Sequence, residues 1–144
     1  MTNCLFCMII EGKVPSSTIY KDNLCTAFLD IQPINPGHVL IVPNLHAANI
    51  SELDENTGAH IFKIGMKINK VLRNSGIKCD GINMFVADGE AAMQEIFHFH
   101  LHIFPRFKDD GFGLKFGASY SQKPTKTELD DMAKKICSNF QPGK

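Results

Sequence analysis

Three histidines stand at alternate positions in His98-Phe99-His100-Leu101-His102, and two cysteines form Cys4-x-x-Cys7. Alternate side chains of a β-strand share one face. As a strand, the segment lines one side with imidazoles and turns Phe99, Leu101 and Ile103 into a core; a helix would spread the imidazoles around its axis. Imidazole serves as a nucleophile, a proton carrier or a metal ligand at neutral pH. Thr, Lys or Ser would serve equally well on a plain solvated face, so chemistry is the better reason for three histidines. At ~3.3 Å per residue, His98 and His102 lie about 13 Å apart, too far for all three rings to converge on one metal ion. The stripe has room for at least two jobs.

Cys4 and Cys7 are spaced to give two thiolates to one zinc ion, and a tetrahedral site then needs two more ligands, which histidines can supply. Spacing alone does not name them. Two alternatives stay open. A redox Cys-x-x-Cys expects a preceding strand in a βαβ unit, whereas only three residues precede Cys4. The pair can also be two unligated thiols on a short turn. Cys25, Cys79 and Cys137 bring the count to an odd five, which favours reduced thiols over a disulfide framework.

Around these residues the sequence reads as short strands and a few helices. A turn or helix around Cys7 to Glu11 closes at Gly12. Apolar runs predict strands at Ser17–Tyr20, Leu24–Leu29 and Val39–Pro43, linked by turns at Asp22-Asn23 and Pro33–Gly37. Ser51-Glu52-Leu53-Asp54 is a helix-start signal. Ile61, Ile64, Ile68, Val71 and Leu72 then recur at helical spacing to Ser75-Gly76, which gives one long central helix. Strands follow at Ile82–Val86 and Phe97–Phe104, with Pro105 as terminator. Thr125-x-x-Glu128 predicts a capping box ahead of a C-terminal amphipathic helix, about 126–140, with Leu129, Met132, Ala133, Ile136, Cys137 and Phe140 on one face. His60, outside every motif, reads as a surface residue. The pattern is that of an α+β domain with a mainly antiparallel sheet.

Composition sets the outer bounds. At 144 residues the chain fits a single domain, 1–144, with a core of about 4–107 and an extension from 108. Lys+Arg and Asp+Glu are both 15, so no basic field draws a nucleic acid polymer along its phosphates, while a small phosphorylated ligand needs only a few local groups. No charged leader with a long apolar run opens the chain, and no membrane-length segment follows, so a cytoplasmic protein without a membrane partner is expected.

The sequence resembles the histidine triad (HIT) family, whose His-x-His-x-His-x-x signature is matched from His98 to Phe104. Also similar are Cys4-Leu5-Phe6-Cys7-x-Ile9-Ile10, Ala27-Phe28-Leu29-Asp30-Ile31-x-Pro33, Gly37-His38-x-Leu40-Ile41-x-Pro43-x-x-His46, and Gln94 four residues before His98. The form with two cysteines and a C-terminal segment is most similar to bacterial, zinc-containing members close to the nucleotide-binding-protein branch. The resemblance implies a five-stranded antiparallel sheet, a homodimer whose sheets join, and a pocket for a purine nucleotide of AMP or GMP type. It implies His100 as nucleophile, His102 at the phosphate and leaving group, and His38 completing the polar layer. It also implies Asp30 on the ribose hydroxyls, Gln94 and Glu95 in the nucleotide site, and Leu5, Phe6, Ile9, Val14, Phe28 and Ile31 walling the base. A structural zinc would be held by Cys4, Cys7, His46 and His98. The implied activity is that of a nucleoside phosphoramidase or nucleotide hydrolase. It would cleave a phosphoramidate, an acyl-nucleotide or a dinucleoside polyphosphate through a nucleotidyl-histidine, with no metal needed for the chemistry.

The loop ahead of the triad departs from the family pattern. Ala87 stands where Asn is common, Met93 where Gly is common, and Glu95 where a hydroxyl residue is common. A carboxylate at 95 repels a phosphate unless it points away or is paired. The competing reading is therefore a zinc-stabilised nucleotide-binding or protein-interaction module with weak or no catalysis.

Overall fold

The computed structural model describes residues 4–140. Helix α1 spans Leu5–Ile10, α2 Glu55–Asn74 and α3 Lys126–Cys137; strands β1 to β5 span Thr18–Lys21, Cys25–Leu29, Val39–Pro43, Gly81–Phe85 and Leu101–Arg106. The strands form one antiparallel sheet in the order β1-β2-β3-β5-β4. The chain divides into two compact units, one ending at Phe112 and the other starting at Gly113. The boundary lies five residues beyond the expected end of the core because Asp110 holds residues 108–112 in the first unit. Its carboxylate accepts hydrogen bonds from Arg106, from Asn35 Nδ2 and from the amides of Phe107 and Phe112.

Alternation along the strands gives the sheet two unlike faces. On one, Cys25, Ala27, Val39, Ile41, Leu101 and Ile103 pack with Phe99 against Ile61, Ile64, Ile68 and Leu72 of α2. On the other, Phe28, Leu40 and Val42 pack with Phe6 of α1. His38, His100 and His102 share the parity of that second face, so the register that builds the core also sets the histidines on the α1 side.

Gly65 lets α2 lie close to the sheet: a Cβ there would sit 2.9 Å from Met84 Cε, 3.2 Å from Leu101 Cδ2 and 3.3 Å from Ile103 Cδ1. Met84 can swing aside for one methyl group, but three neighbours cannot all yield to a branched side chain. Gly65→Leu is expected to cost about 2–3 kcal/mol through overpacking, read from the denaturant midpoint. An unchanged midpoint would show that this contact is slack.

Several boundaries differ from expectation. α2 is capped by Asp54, whose side chain accepts from the Thr57 amide, while Ile50–Glu52 forms a separate 3-10 turn capped by Asn49. Val71 is 64% exposed and off the buried stripe. His60 is no solitary surface residue: its Nε2 donates to Asp22 Oδ2 at 2.6 Å, beside the Tyr20 hydroxyl at 2.7 Å. Asp22 Oδ1 meanwhile accepts from the Leu24 and Cys25 amides, which makes the β1–β2 turn and ties it to α2. Burial pushes the Cys25 thiol up to about 12, so it is inert packing.

The histidine strand is displaced from the expected Phe97–Phe104 to Leu101–Arg106, and Pro105 lies inside it. Before Leu101 the backbone bonds elsewhere: the His98 amide to Ile96 O and the Phe99 amide to Ala47 O. At the other end, β3 stops pairing at Ile103, so the side of β5 on which Pro105 lacks an N–H is already open. Its carbonyl, on that same side, accepts from Asn35 Nδ2 at 2.9 Å.

In the second unit, Thr125 and Glu128 form the expected capping box. α3 ends at Cys137 rather than near 140, because Ser138 Oγ and Asn139 Nδ2 both donate to Lys135 O. Leu129, Met132 and Ile136 on its apolar face are 52%, 55% and 61% exposed.

Candidate functional site

His98, His100 and His102 are divided between two places. His98 is fully buried, and its Nε2 donates to Pro43 O at 2.9 Å. That bond fixes the tautomer and leaves the Nδ1 lone pair facing Cys4 Sγ at 3.4 Å, Cys7 Sγ at 3.5 Å and His46 Nδ1 at 3.3 Å. His46 Nδ1 also lies 3.5 Å from Cys7 Sγ. The four atoms fall within 4.8 Å of one another. A tetrahedral zinc with ~2.3 Å bonds to sulfur and ~2.0–2.1 Å bonds to nitrogen separates its ligands by about 3.3–3.8 Å. The donor set and its spacing therefore fit a closed tetrahedral metal site. Cys4 caps α1, Cys7 lies one turn on, His46 follows β3 and His98 precedes β5, so one ion would join three otherwise separate segments. No disulfide competes for these sulfurs.

Two residues on, His100 Nδ1 donates to the His98 carbonyl at 2.7 Å. Its Nε2 then carries a lone pair and no proton. His102 is held from its other side. The Ile34 amide donates to His38 Nδ1 at 3.2 Å, so His38 carries its proton on Nε2 and gives it to His102 Nδ1 at 3.0 Å. His102 is left with an N–H at Nε2. The pair thus presents a nucleophilic nitrogen beside a hydrogen-bond donor, with ring centroids 4.7 Å apart.

Both rings open into a cavity of about 460 Å³, a size suited to a small organic ligand. Leu5, Phe6, Ile9 and Val14 line it from the α1 side, and Phe28, Asp30 and Ile31 from the end of β2; His38 and Glu95 lie on it too. Phe6 and Phe28 meet edge to face at 5.5 Å. Asp30 has two duties, since its Oδ1 accepts from the Gln32 amide and shapes the turn while the residue faces the cavity. Gln94 is not on the wall. It is 3% exposed, its amide donating to Ala48 O and Ile96 O and accepting from the Gly89 amide, so it pins the loop behind the site. Sequence reasoning missed Ser16, Ile34, Leu40, Phe85 and Ile96 on the wall, while Met93, singled out in the loop ahead of the triad, lies on it. For Leu40 and Phe85 the signal was available, since each is the ladder partner of His102 and must share its face.

The site is dry enough to keep its imidazoles neutral. Burial lowers the pKa of His38, His98 and His100. His102 is pushed down to about 3, first by burial and then by His100 and His38. An unfolded histidine takes up a proton near pH 6.5, whereas folded His102 does not until about pH 3, so acid favours the unfolded chain across that window. Between pH 7 and 5 this group alone is expected to remove about 2 kcal/mol from the ligand-free protein. His102→Gln should lose correspondingly less over the same interval, as read from denaturant midpoints at the two pH values. Parallel losses in both proteins would assign the acid sensitivity elsewhere.

The HIT domain model matches residues 11–109. An uncharacterised HIT-like protein from Borreliella burgdorferi is 44% identical over 119 residues, covering 81% of this chain and 85% of that protein. An adenosine 5'-monophosphoramidase from Candida albicans is 36% identical over 118 residues, covering 80% of this chain and 77% of that protein. Among solved structures, a HIT family protein from Bacillus subtilis superimposes with a TM-score of 0.90 at 32% identity, covering 99% of this chain and all of that one. A zinc-bound histidine triad family protein from Mycobacterium smegmatis gives 0.72 at 32% identity, covering 96% and 98%.

Proposed function

The chain belongs to the histidine triad family, and on that premise we propose that it is a nucleotide hydrolase that attacks an α-phosphorus with His100 Nε2 and releases a nucleoside monophosphate. The observation that carries this reading is the bond from His100 Nδ1 to the His98 carbonyl, which aims an unprotonated Nε2 into the cavity. Attack forms a nitrogen–phosphorus bond and breaks the bond to the leaving group; an amine takes a proton as it departs, whereas a carboxylate or phosphate leaves as the anion. Water then opens the nucleotidyl-histidine and restores the imidazole. The His102 Nε2–H is placed to donate to a phosphate oxygen or to the leaving atom, and the His38 contact holds that donor in its tautomer. The base lies between α1 and Phe28, and Asp30 takes the ribose hydroxyls. The apolar wall suits a purine of AMP or GMP type, and the lack of any Lys or Arg on it suits a single nucleotide better than a polymer. The relative from Candida albicans supports the phosphoramidase reading.

We further propose a structural zinc on Cys4, Cys7, His46 and His98, supported by the spacing of the four donor atoms and by the zinc-bound Mycobacterium smegmatis protein. Ligation by thiolates suits the reducing cytoplasm. A homodimer is supported by the open edge of β4 and by Phe62 and Met66, 56% and 53% exposed on the outer face of α2. Light scattering should give twice the chain mass.

The activity is tested by incubating the protein with adenosine 5'-phosphoramidate and with α-labelled nucleotide under rapid acid-free quench. Release of AMP and label on His100 are expected. AMP binding with neither would leave the chain as a binding module and overturn the hydrolase reading.

A further inference from the structure

Resting on that hydrolase reading, we propose that Glu95 makes the pocket selective for α-phosphoryl substrates whose leaving group carries a positive charge close to the scissile bond. The phosphoramidate of a diamine and the mixed anhydride of an amino acid share this chemistry. Glu95 lines the same cavity as His100 and His102. It makes no hydrogen bond or ion pair among the described residues, whereas Asp22, Glu52, Asp54 and Asp110 are each engaged by neighbouring donors. Nothing on the wall offsets its charge, since the cavity has no Lys or Arg, and its other carboxylate, Asp30, is held by the Gln32 amide.

On this proposal the charge meets the leaving group rather than the base, since Glu95 is an exposed residue of the cavity wall and stands outside the apolar Phe6–Phe28 cluster. Its neighbour Ile96 packs onto the Phe6–Phe28 cluster that walls the apolar end, while Glu95 itself is exposed. Met93, 75% exposed, flanks the same opening from a left-handed backbone position at φ 68°. A polyphosphate leaving group would bring further negative charge to a carboxylate that has no counter-ion. An ammonium group would meet its complement there. In the reaction His100 Nε2 bonds to phosphorus and the P–N or P–O bond breaks with its electron pair going to the leaving atom; an amine nitrogen takes a proton from the His102 Nε2–H as it departs, whereas a carboxylate leaves as the anion. Glu95 transfers no proton. It pairs with the ammonium that the leaving group already bears.

The test compares two adenosine 5'-phosphoramidates of equal length, one of 1,3-diaminopropane and one of n-butylamine. Wild type, Glu95→Gln and Glu95→Lys are each assayed for kcat/KM at low and high salt. Wild type is expected to favour the charged substrate by about fivefold at low salt, the scale of one partly exposed ion pair, with the ratio shrinking at high salt. The ratio should fall to about one in Glu95→Gln and invert in Glu95→Lys. Equal use of both substrates by wild type, or the same preference in all three proteins, overturns this proposal and leaves the hydrolase reading intact. Failure of wild type to cleave either substrate overturns both.

Discussion

Replacing His100 by alanine is expected to lower kcat by at least about 10⁴-fold while changing the affinity for AMP by less than about fivefold. The asymmetry follows from what the ring does. Its Nδ1 is occupied by the His98 carbonyl, while the unprotonated nitrogens of His38 and His102 already accept from the Ile34 amide and from His38, so on the proposed mechanism neither neighbour can take its place as nucleophile. The proposed base wall of Phe6 and Phe28 and the Asp30 carboxylate do not depend on it for position, apart from an edge contact with Phe6 at 5.2 Å. Only direct attack by water remains, slower because water must be oriented and deprotonated as it reacts. The check is kcat from single-turnover kinetics, with calorimetric titration of AMP on the same preparation. A fall of tenfold or less would mean that water, not His100, is the nucleophile in the native protein, and the ring would become a binding group.

The sheet, the central helix and the shared face of the alternate histidines were legible because they rest on local periodicity, whereas the separate roles given to His98, His100 and His102 came only from the resemblance. Val39–Pro43 alternates through the core and was bounded as observed, and the triad needed only a period of two to place His102 on the face opposite Leu101 and Ile103. What escaped was set by contacts distant in sequence. The start of β5 at Leu101 is fixed by the Phe99 amide reaching Ala47 O, and by His98 turning toward two cysteines more than ninety residues earlier. Neither partner is signalled by the composition of residues 97–100. His60 was read as bland because its partner, Asp22, lies 38 residues away in a turn that by itself looks complete. Gln94 was assigned to the nucleotide by resemblance. The structure gives it an interior task whose partners are all backbone groups, and backbone partners leave no trace in side-chain pattern.

Removing the proposed zinc should reach the reaction through the same carbonyl. Cys4→Ser with Cys7→Ser, or exhaustive chelation of the wild type, is expected to bring metal content from one zinc per chain to none. Stability should fall by about 4 kcal/mol or more, the linkage expected of a ligand present at a thousandfold its dissociation constant, with Tm lower by roughly 10 °C. Activity should fall less severely, by about 10–100-fold in kcat, because an ion held by those four residues would touch no reacting atom. The path is short and nameable: the ligand His98 anchors its own backbone, and its carbonyl oxygen sets the ring of His100 at 2.7 Å. With the metal gone, the Pro43 carbonyl still holds His98 Nε2, so the nucleophile loses precision rather than its place. A structural metal therefore predicts a kcat loss that is partial, accompanied by destabilisation and restored by zinc alone in the chelated wild type. A catalytic metal predicts a loss as deep as that of His100→Ala. Unchanged Tm and kcat in metal-free protein would show instead that the two cysteines are spectators. Their four-atom array with His46 and His98 would then be held by packing and hydrogen bonds without an ion.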